Sequence, residues 1–256
     1  MLICWNVNSV NSRADQIVSL IKNLNPAVFL LQETKCTTKN FPLKLFTDLG
    51  YNLVLCGQKR YNGVAIMSKS PLEEVIYSLP GLQIQEARYI EATTIVSSQR
   101  CKVISVYVPN GSSIGSESFI YKKLFLDVLK KRLDHLKKTE KNIIIAGDFN
   151  VAPDPIDVYS VHSMSEELCF HQTERIRLKR IINSGFIDSF RSFNRDKKTF
   201  TWWDYRGRSW QKNQGLRIDH ILISPSIADI TQKANILTET RSWQKPSDHS
   251  PISISW

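Results

Sequence analysis

Two mixed β-sheets packed face to face, with helices on their outer sides, is the architecture this 256-residue sequence predicts. Three observations lead there. Strand-like runs far outnumber helical ones, eleven against three. Many of those runs follow one another with no helix between them, which rules against a simple parallel doubly wound sheet. Several are apolar without interruption, as strands covered on both faces are.

In chain order, the pattern begins with a strand in "LICWNVN" and a helix over 12–24. Ser12 is its expected N-cap, and Ile17, Leu20, Ile21 and Leu24 share one face. Strands follow in "AVFLLQE", "NLVLC", "GVAIMS", "YIEATTIV" and "KVISVYV". The polar stretch "NGSSIGSES" leads into a second helix over 119–138, with Tyr121, Leu124, Phe125, Val128, Leu129 and Leu136 on its apolar side. Lys122, Lys123, Lys130, Lys131, Arg132, Lys137 and Lys138 are expected on its outer side, as a solvated face or a phosphate-binding one. After the strand "NIIIAG" comes a third helix over 173–184, capped by Thr173 and stopped by Gly185. "TFTWWDY", "IDHILIS", "ANILTE" and "PISISW" complete the strands. No linker-like or low-complexity tract divides the chain, so residues 1–256 are expected to form a single domain.

The chain carries 34 Lys and Arg against 24 Asp and Glu, a formal charge of +10. That favours a polyanionic partner, either nucleic acid or an acidic membrane face. Five scattered cysteines without a C-x-x-C pair argue against a disulfide framework or a zinc site and suit a reducing, cytoplasmic setting. "MLICWNVNS" has neither the basic segment nor the long apolar stretch of a signal peptide. No apolar run approaches the roughly 18 residues that span a bilayer, and no membrane association is expected.

Asp and Asn often end a strand simply as turn residues. Here, however, six apolar runs end in, or lie beside, an acid, amide, phenol or imidazole: Asn6 and Asn8, Glu33, Tyr107 and Asn110, Asp148 and Asn150, Asp219, and Asp248 and His249. Strands that share a core bring such ends to a common mouth. The set is rich in oxygen donors, with one His and no Cys, which favours Mg²⁺ or Mn²⁺ over zinc. G-x-S-x-G, G-x-x-x-x-G-K-[ST] and G-x-G-x-x-G loops are all lacking. In a basic protein this combination points to metal-assisted attack of water on a phosphoester. The metal would neutralise developing charge, a carboxylate would position the water, and His or an amide would hold the non-bridging oxygens.

Eight segments in order, "WNVNS", "LLQETK", "GQKRYNGVAIMSK", "YVPNG", "GDFNVAP", "FTWWDYR", "GLRIDHIL" and "KPSDHSPI", resemble the exonuclease III family of apurinic/apyrimidinic (abasic-site) endonucleases, within the endonuclease/exonuclease/phosphatase superfamily. The resemblance runs nearly end to end. It implies a four-layer α/β sandwich, Mg²⁺ with Mn²⁺ as a substitute, and duplex DNA containing abasic sites or blocked 3′ ends as substrate. It also implies a monomeric enzyme that cuts 5′ to an abasic site and trims 3′ ends as a 3′-to-5′ exonuclease, and the compact chain ends look more like those of a bacterial enzyme than of a eukaryotic one.

By the same resemblance Glu33 binds the metal, with Asn6 and Asn8 as candidate helpers, and Asp148, also counted among the metal ligands, orients or deprotonates the attacking water or protonates the leaving group. Asn150 and His249 hold the scissile phosphate and also count among the metal ligands. Asp219 locks the His249 ring, Tyr107 sits on the phosphate and Asn110 lies beside it. Asp248 supports a second metal position or orients its neighbour. Trp202, Leu216 and Ile218 line a pocket for a flipped-out abasic sugar, with Asn8, Arg88 and Arg217 as further substrate contacts. Structural ion pairs explain the two arginines nearly as well. The sequence departs from the family in two places. Asn8 is an amide where human-type members have an acid, and the basic residue that many relatives carry near Ser118 is lacking. The superfamily also holds inositol-phosphate phosphatases and sphingomyelinases with the same Glu, Asp-x-Asn and Asp-His core. The net charge and the aromatic–arginine segment at 200–219 favour DNA.

Overall fold

In β1 (Leu2–Asn6) the even-numbered Leu2 and Cys4 enter one buried cluster and the odd-numbered Ile3 and Trp5 another. A strand covered on both faces reads as an unbroken apolar run. The computed structural model describes residues 1–84 and 86–256. Along the chain follow α1 (Val10–Leu24), β2 (Val28–Gln32), the short α2 (Leu43–Thr47), β3 (Asn52–Cys56), β4 (Val64–Ser68), β5 (Glu73–Ile76), β6 (Tyr89–Val96) and β7 (Gln99–Tyr107). Then come α3 (Glu117–Leu136), β8 (Ile143–Asp148), α4 (Val161–Met164), α5 (Gln172–Ile182), β9 (Ile187–Asp188), α6 (Ser189–Phe193), β10 (Asp219–Ile223), α7 (Pro225–Ala228), β11 (Lys233–Ile236) and β12 (Ile252–Ser255).

Two six-stranded sheets result, in the orders β11-β12-β1-β2-β4-β3 and β5-β6-β7-β8-β10-β9. Both are mixed: β1 with β2 and β7 with β8 run parallel, while β2 with β4 and β8 with β10 run antiparallel. Their inner faces meet in a core of Leu2, Cys4, Leu30, Ile66, Ala92, Val103, Ile144 and Ile221. Outside the first sheet Ile17, Leu20 and Ile21 of α1 cover Ile3, Trp5 and Phe29. Outside the second, Phe125, Leu129 and Leu133 of α3 and Leu178 and Ile181 of α5 cover Ile104, Ile143 and Ile145. Each buried aliphatic contributes about 1.5–3 kcal/mol relative to exposure, and the predicted sandwich of sheets with helices outside is the observed one. None of the described helices is long and apolar enough to cross a membrane.

Several local expectations are corrected. Helix α1 starts earlier than predicted, with Ser9 rather than Ser12 as its cap residue, and the N–H groups of Ser9 and Val10 donate to the carbonyls of Glu33 (2.7 Å) and Thr34 (3.1 Å). Helix α5 is capped by His171, not Thr173, in a reciprocal box with Glu174. On α3, Leu124 is exposed and Lys122 fully buried. The Phe119, Lys122, Phe125, Leu129, Leu133 and Leu136 stripe keeps helical spacing, and burial follows that angle rather than residue polarity. Residues 199–205 form no strand. Trp202 makes single bridges to Leu216 and to His249, clasping two loops together instead of joining a ladder. β5 and β9 are short edge strands that the apolar pattern did not announce.

Gly147 answers a local question of the sequence, namely why an apolar strand interrupts itself one residue before Asp148. A Cβ built there would lie 1.8 Å from the carbonyl oxygen of Val106 on the neighbouring β7. The parallel pairing that brings Tyr107 level with Asp148 needs that close approach. Gly147→Ala is expected to cost about 3 kcal/mol, at the upper end for overpacking because the obstructing atom is backbone. Urea unfolding would measure it, and a loss under about 1 kcal/mol would show that β7 and β8 can part without penalty.

Candidate active site

The alternation that fills the inter-sheet core also delivers the polar strand ends. Asn6 shares the inward face with Leu2 and Cys4, Asp148 with Ile144 and Ala146, and Asp219 with Ile221 and Ile223. Register aligns Tyr107 with Asp148 across β7 and β8, and Asp148 with Asp219 across β8 and β10. Where the sheets open, Tyr107 and Asp148 line a cleft of about 240 Å³ with Glu33, Asn110, Asn150, Cys169, Trp202, Ile218, Asp248 and His249, and Asn6 and Asp219 bond to its lining from behind.

The Asn6 amide joins the sheets, donating from Nδ2 to Glu33 Oε1 (2.7 Å) and to Asp148 Oδ2 (3.0 Å), while its Oδ1 accepts from the N–H of Asn8 (3.1 Å). Lys35 Nζ lies 2.7 Å from Glu33 Oε2 and donates to Asn8 Oδ1 at 2.6 Å. Glu33 (φ 50°) and Asn150 (φ 51°) occupy left-handed backbone, which persists in such residues only where surroundings over-determine it. The Asn150 N–H donates to Asp148 Oδ1 (2.8 Å) and its Nδ2 to the Val108 carbonyl (2.9 Å), and its Oδ1 accepts from Asn110 Nδ2 (3.2 Å). The second N–H of that amide has no partner among the described residues, and Asn150 lines the cleft.

His249 lies between two carboxylates, with Nδ1 2.8 Å from Asp219 Oδ2 and Nε2 3.7 Å from Asp148 Oδ2. Burial disfavours its charge, but Asp219 and Asp148 outweigh burial and push its pKa up to about 10. The two carboxylates thus favour the imidazolium, which carries an N–H on each nitrogen, the one on Nδ1 directed at Asp219. Burial also raises Asp148, with the charges of Asp219 and Glu33 adding and that of His249 opposing, to about 7. Tyr107 is held well above the usual phenol range by burial and by Glu33 and Asp148, so it stays a neutral donor. For Asp248 burial acts the other way, but His249 and hydrogen bonds from Asn8 and Trp202 keep its carboxyl below the ordinary value.

Oxygens of Glu33 and Asp148 and a nitrogen of His249 lie within 4.8 Å of one another, close enough to share a metal ion. The ammonium of Lys35 against Glu33 marks the same place as one that attracts a cation. A protonated His249 has no lone pair to offer, so in that state a hard cation falls to the two carboxylates. Other expected ligands are engaged elsewhere. Asn6 turns its nitrogen to the carboxylates, and Asn150 gives its oxygen to Asn110. Asp248 accepts from Asn8 Nδ2 (2.9 Å) and from Trp202 Nε1 (3.0 Å), which fixes the indole at the cleft wall.

Of the expected substrate residues, Trp202 and Ile218 line the cleft and Leu216 an adjoining pocket of about 570 Å³. Arg88 stacks over the Tyr107 ring at 4.6 Å and pairs with Glu86 at 2.5 Å. Arg217 is a correction. It is 1% exposed and bound to Asp157 (2.7 and 3.0 Å) and Asp188 (2.8 Å), so its charge is spent inside the protein and cannot meet a phosphate. The aromatic segment is likewise only partly outward. Trp203 is buried, and Trp203, Tyr205 and Trp210 surround the Arg241 guanidinium at 5.5–5.9 Å. Sequence reasoning missed Lys35, Cys169 and Thr201, whose hydroxyl accepts from the N–H groups of Ile218 (3.0 Å) and Asp219 (3.1 Å). "LLQETK" did contain Lys35, but nothing marked its side chain as turning back onto Glu33.

Residues 3–249 match the profile of the Endonuclease/Exonuclease/phosphatase family. Exodeoxyribonuclease III of Haemophilus influenzae is 32% identical over 261 residues, covering 98% of this chain and 97% of its own. Among solved structures, a 3′ phosphatase from Neisseria bound to a product DNA hairpin superposes with a TM-score of 0.95 at 35% identity, covering 100% of this chain and 99% of its own. An AP endonuclease from Archaeoglobus fulgidus superposes at 0.93 with 34% identity, covering 100% and 98%.

Proposed function

The chain belongs to the endonuclease/exonuclease/phosphatase family, and we propose that within it the protein is a Mg²⁺-dependent DNA-repair nuclease. It hydrolyses the phosphodiester 5′ to an abasic site in duplex DNA and trims blocked 3′ ends. The observation that carries this reading is the pairing of opposites at one mouth. Two carboxylates bridged by Asn6 lie beside an imidazolium locked by Asp219, with the free N–H of Asn150 and the phenol of Tyr107 at the same cleft. Donors of that kind hold the non-bridging oxygens of a phosphate, and carboxylates hold its metal and its water.

Mg²⁺, or Mn²⁺ in its place, would be held by Glu33 and Asp148 and would supply charge neutralisation at the phosphoryl group. Asp148 orients or deprotonates the attacking water or protonates the leaving oxygen. His249, Asn150 and Tyr107 hold the phosphate, with Asn110 fixing Asn150, and Trp202 and Ile218 receive the baseless sugar, which costs little to extrude. The net charge of +10 supplies sequence-independent attraction to the duplex.

A duplex oligonucleotide with one abasic-site analogue tests the reading. Incision 5′ to the lesion is expected with Mg²⁺, with Mn²⁺ restoring it after chelation. EDTA should reduce the rate by about 10³-fold or more, and the intact duplex should be nicked far more slowly. An uncut abasic duplex, with phosphate released instead from an inositol phosphate or a lipid headgroup, would overturn the substrate while keeping the metal chemistry.

A further inference from the structure

Lys122, in the second turn of α3, has no exposed surface, and neither has its ion-pair partner Glu174 on α5. Its ammonium has three N–H groups and three acceptors. One is the Glu174 carboxylate, and the others are the main-chain carbonyls of Asn110 (3.0 Å) and Asn150 (2.7 Å). Both asparagines line the cleft, and the Asn110 side chain bonds that of Asn150. The remaining Glu174 oxygen accepts from the N–H of His171 at 3.2 Å, closing the cap of α5. A chain of contacts thus runs from two helices on the outer face to the loops that follow β7 and β8.

We propose that Lys122 is a positioning residue for the phosphate-holding Asn150 and for Asn110 beside it, with Glu174 holding its ammonium in place. The proposal rests on Asn150 and Asn110 serving the scissile phosphate as described above. Asn150 lies in left-handed backbone, with its N–H, its side-chain nitrogen and its side-chain oxygen each tied to a different neighbour. Its carbonyl is the fourth tie, and Lys122 alone supplies it among the described residues. Replacing a buried ion pair by neutral groups is often neutral or stabilising, so this pair's stability contribution alone is a weak reason for its place behind the cleft. Fixing a strained loop to within a fraction of an ångström is a stronger one, since small misplacements of phosphate-binding groups are costly to rate.

The test compares the parent chain, Lys122→Met, and the double variant Lys122→Met with Glu174→Gln, which removes the orphaned charge but keeps an oxygen for the α5 cap. Each is measured for kcat and KM on the abasic duplex, and for thermal midpoint. Lys122→Met is expected to melt well below the parent, and the double variant to recover most of that loss. Both should lose kcat by about 10–100-fold with KM changed by no more than about threefold, since remote supports of a site act on the reacting geometry. A double variant that regains kcat together with stability overturns the proposal, as does one that stays as unstable as the single variant. An active parent with an equally active Lys122→Met chain overturns the proposal alone. A parent that leaves the abasic duplex uncut overturns the functional reading on which it rests.

Discussion

Asp148→Asn is expected to lower kcat on the abasic duplex by about 10³-fold while leaving the affinity for that duplex, measured in chelator, equal or slightly tighter. The amide keeps the shape of the carboxyl but carries no charge for a cation and accepts no proton. Asn6 Nδ2 and the N–H of Asn150 both donate to Asp148, so one of them must face the new amide nitrogen. That unmatched donor costs roughly 1–3 kcal/mol. Against it stands the removal of a buried carboxyl that burial, Asp219 and Glu33 already make reluctant to ionise. The variant should accordingly fold, with a melting temperature near that of the parent, the usual balance between stability and a strained site. Removing negative charge from a cleft that takes a polyanion favours binding, which is why loss of rate without loss of affinity is the diagnostic pair. Single-turnover cleavage and fluorescence anisotropy supply the two halves. Activity within about tenfold of the parent would move the handling of water away from Asp148.

Much of this site can be read in the sequence because period-2 geometry does two things at once. In β1, Leu2, Cys4 and Asn6 have the same parity, and so do Ile144, Ala146 and Asp148 in β8. A strand that buries its even residues between two sheets necessarily aims the polar residue at its end into the mouth between them. The three-dimensional partners of charged side chains are not legible in that way. Arg217 reads as a surface cation beside a catalytic-looking "IDH", yet its partner Asp157 is sixty residues away. Trp203 and Trp210 read as stacking platforms until Arg241, from beyond β11, is found among them. Lys122 was legible after all. Its spacing of three from Phe119 and from Phe125 places it in the buried stripe of α3, and only the assumption that lysine faces water placed it outside. Of the edge strands, β5 left no apolar signal because it has one neighbour and its first two residues are exposed, and β9 because it is only two residues long.

The largest effect on stability is expected at Asp157, which lies outside the cleft. Its carboxylate is fully buried and receives Arg217 through Nε (2.7 Å) and Nη2 (3.0 Å), with Arg191 as a further partner. Arg217 also reaches Asp188 and donates to His220 Nδ1 at 3.0 Å. That donation fixes His220 as the neutral tautomer, with its Nε2–H given to the Val151 carbonyl at 2.8 Å, and burial agrees by lowering its pKa. Asp157→Asn leaves two guanidinium groups short of charge in a buried setting, for a cost of about 3–5 kcal/mol. For a domain of this size that is on the order of 10 °C in melting temperature. The pH dependence has a definite sign. Burial pushes the Asp157 carboxyl up, but Arg217 and Arg191 prevail and hold it below the ordinary 3.8. A carboxyl with a depressed folded-state pKa contributes its stability above the unfolded value and loses it as pH falls through the folded one. The gap in unfolding free energy between parent and Asp157→Asn should therefore be constant above about pH 5 and close progressively below about pH 4. Urea unfolding at several pH values from 3 to 8 measures it. A gap that widened in acid would mean that Asp157 is already protonated in the folded protein and serves the two arginines only as a neutral acceptor.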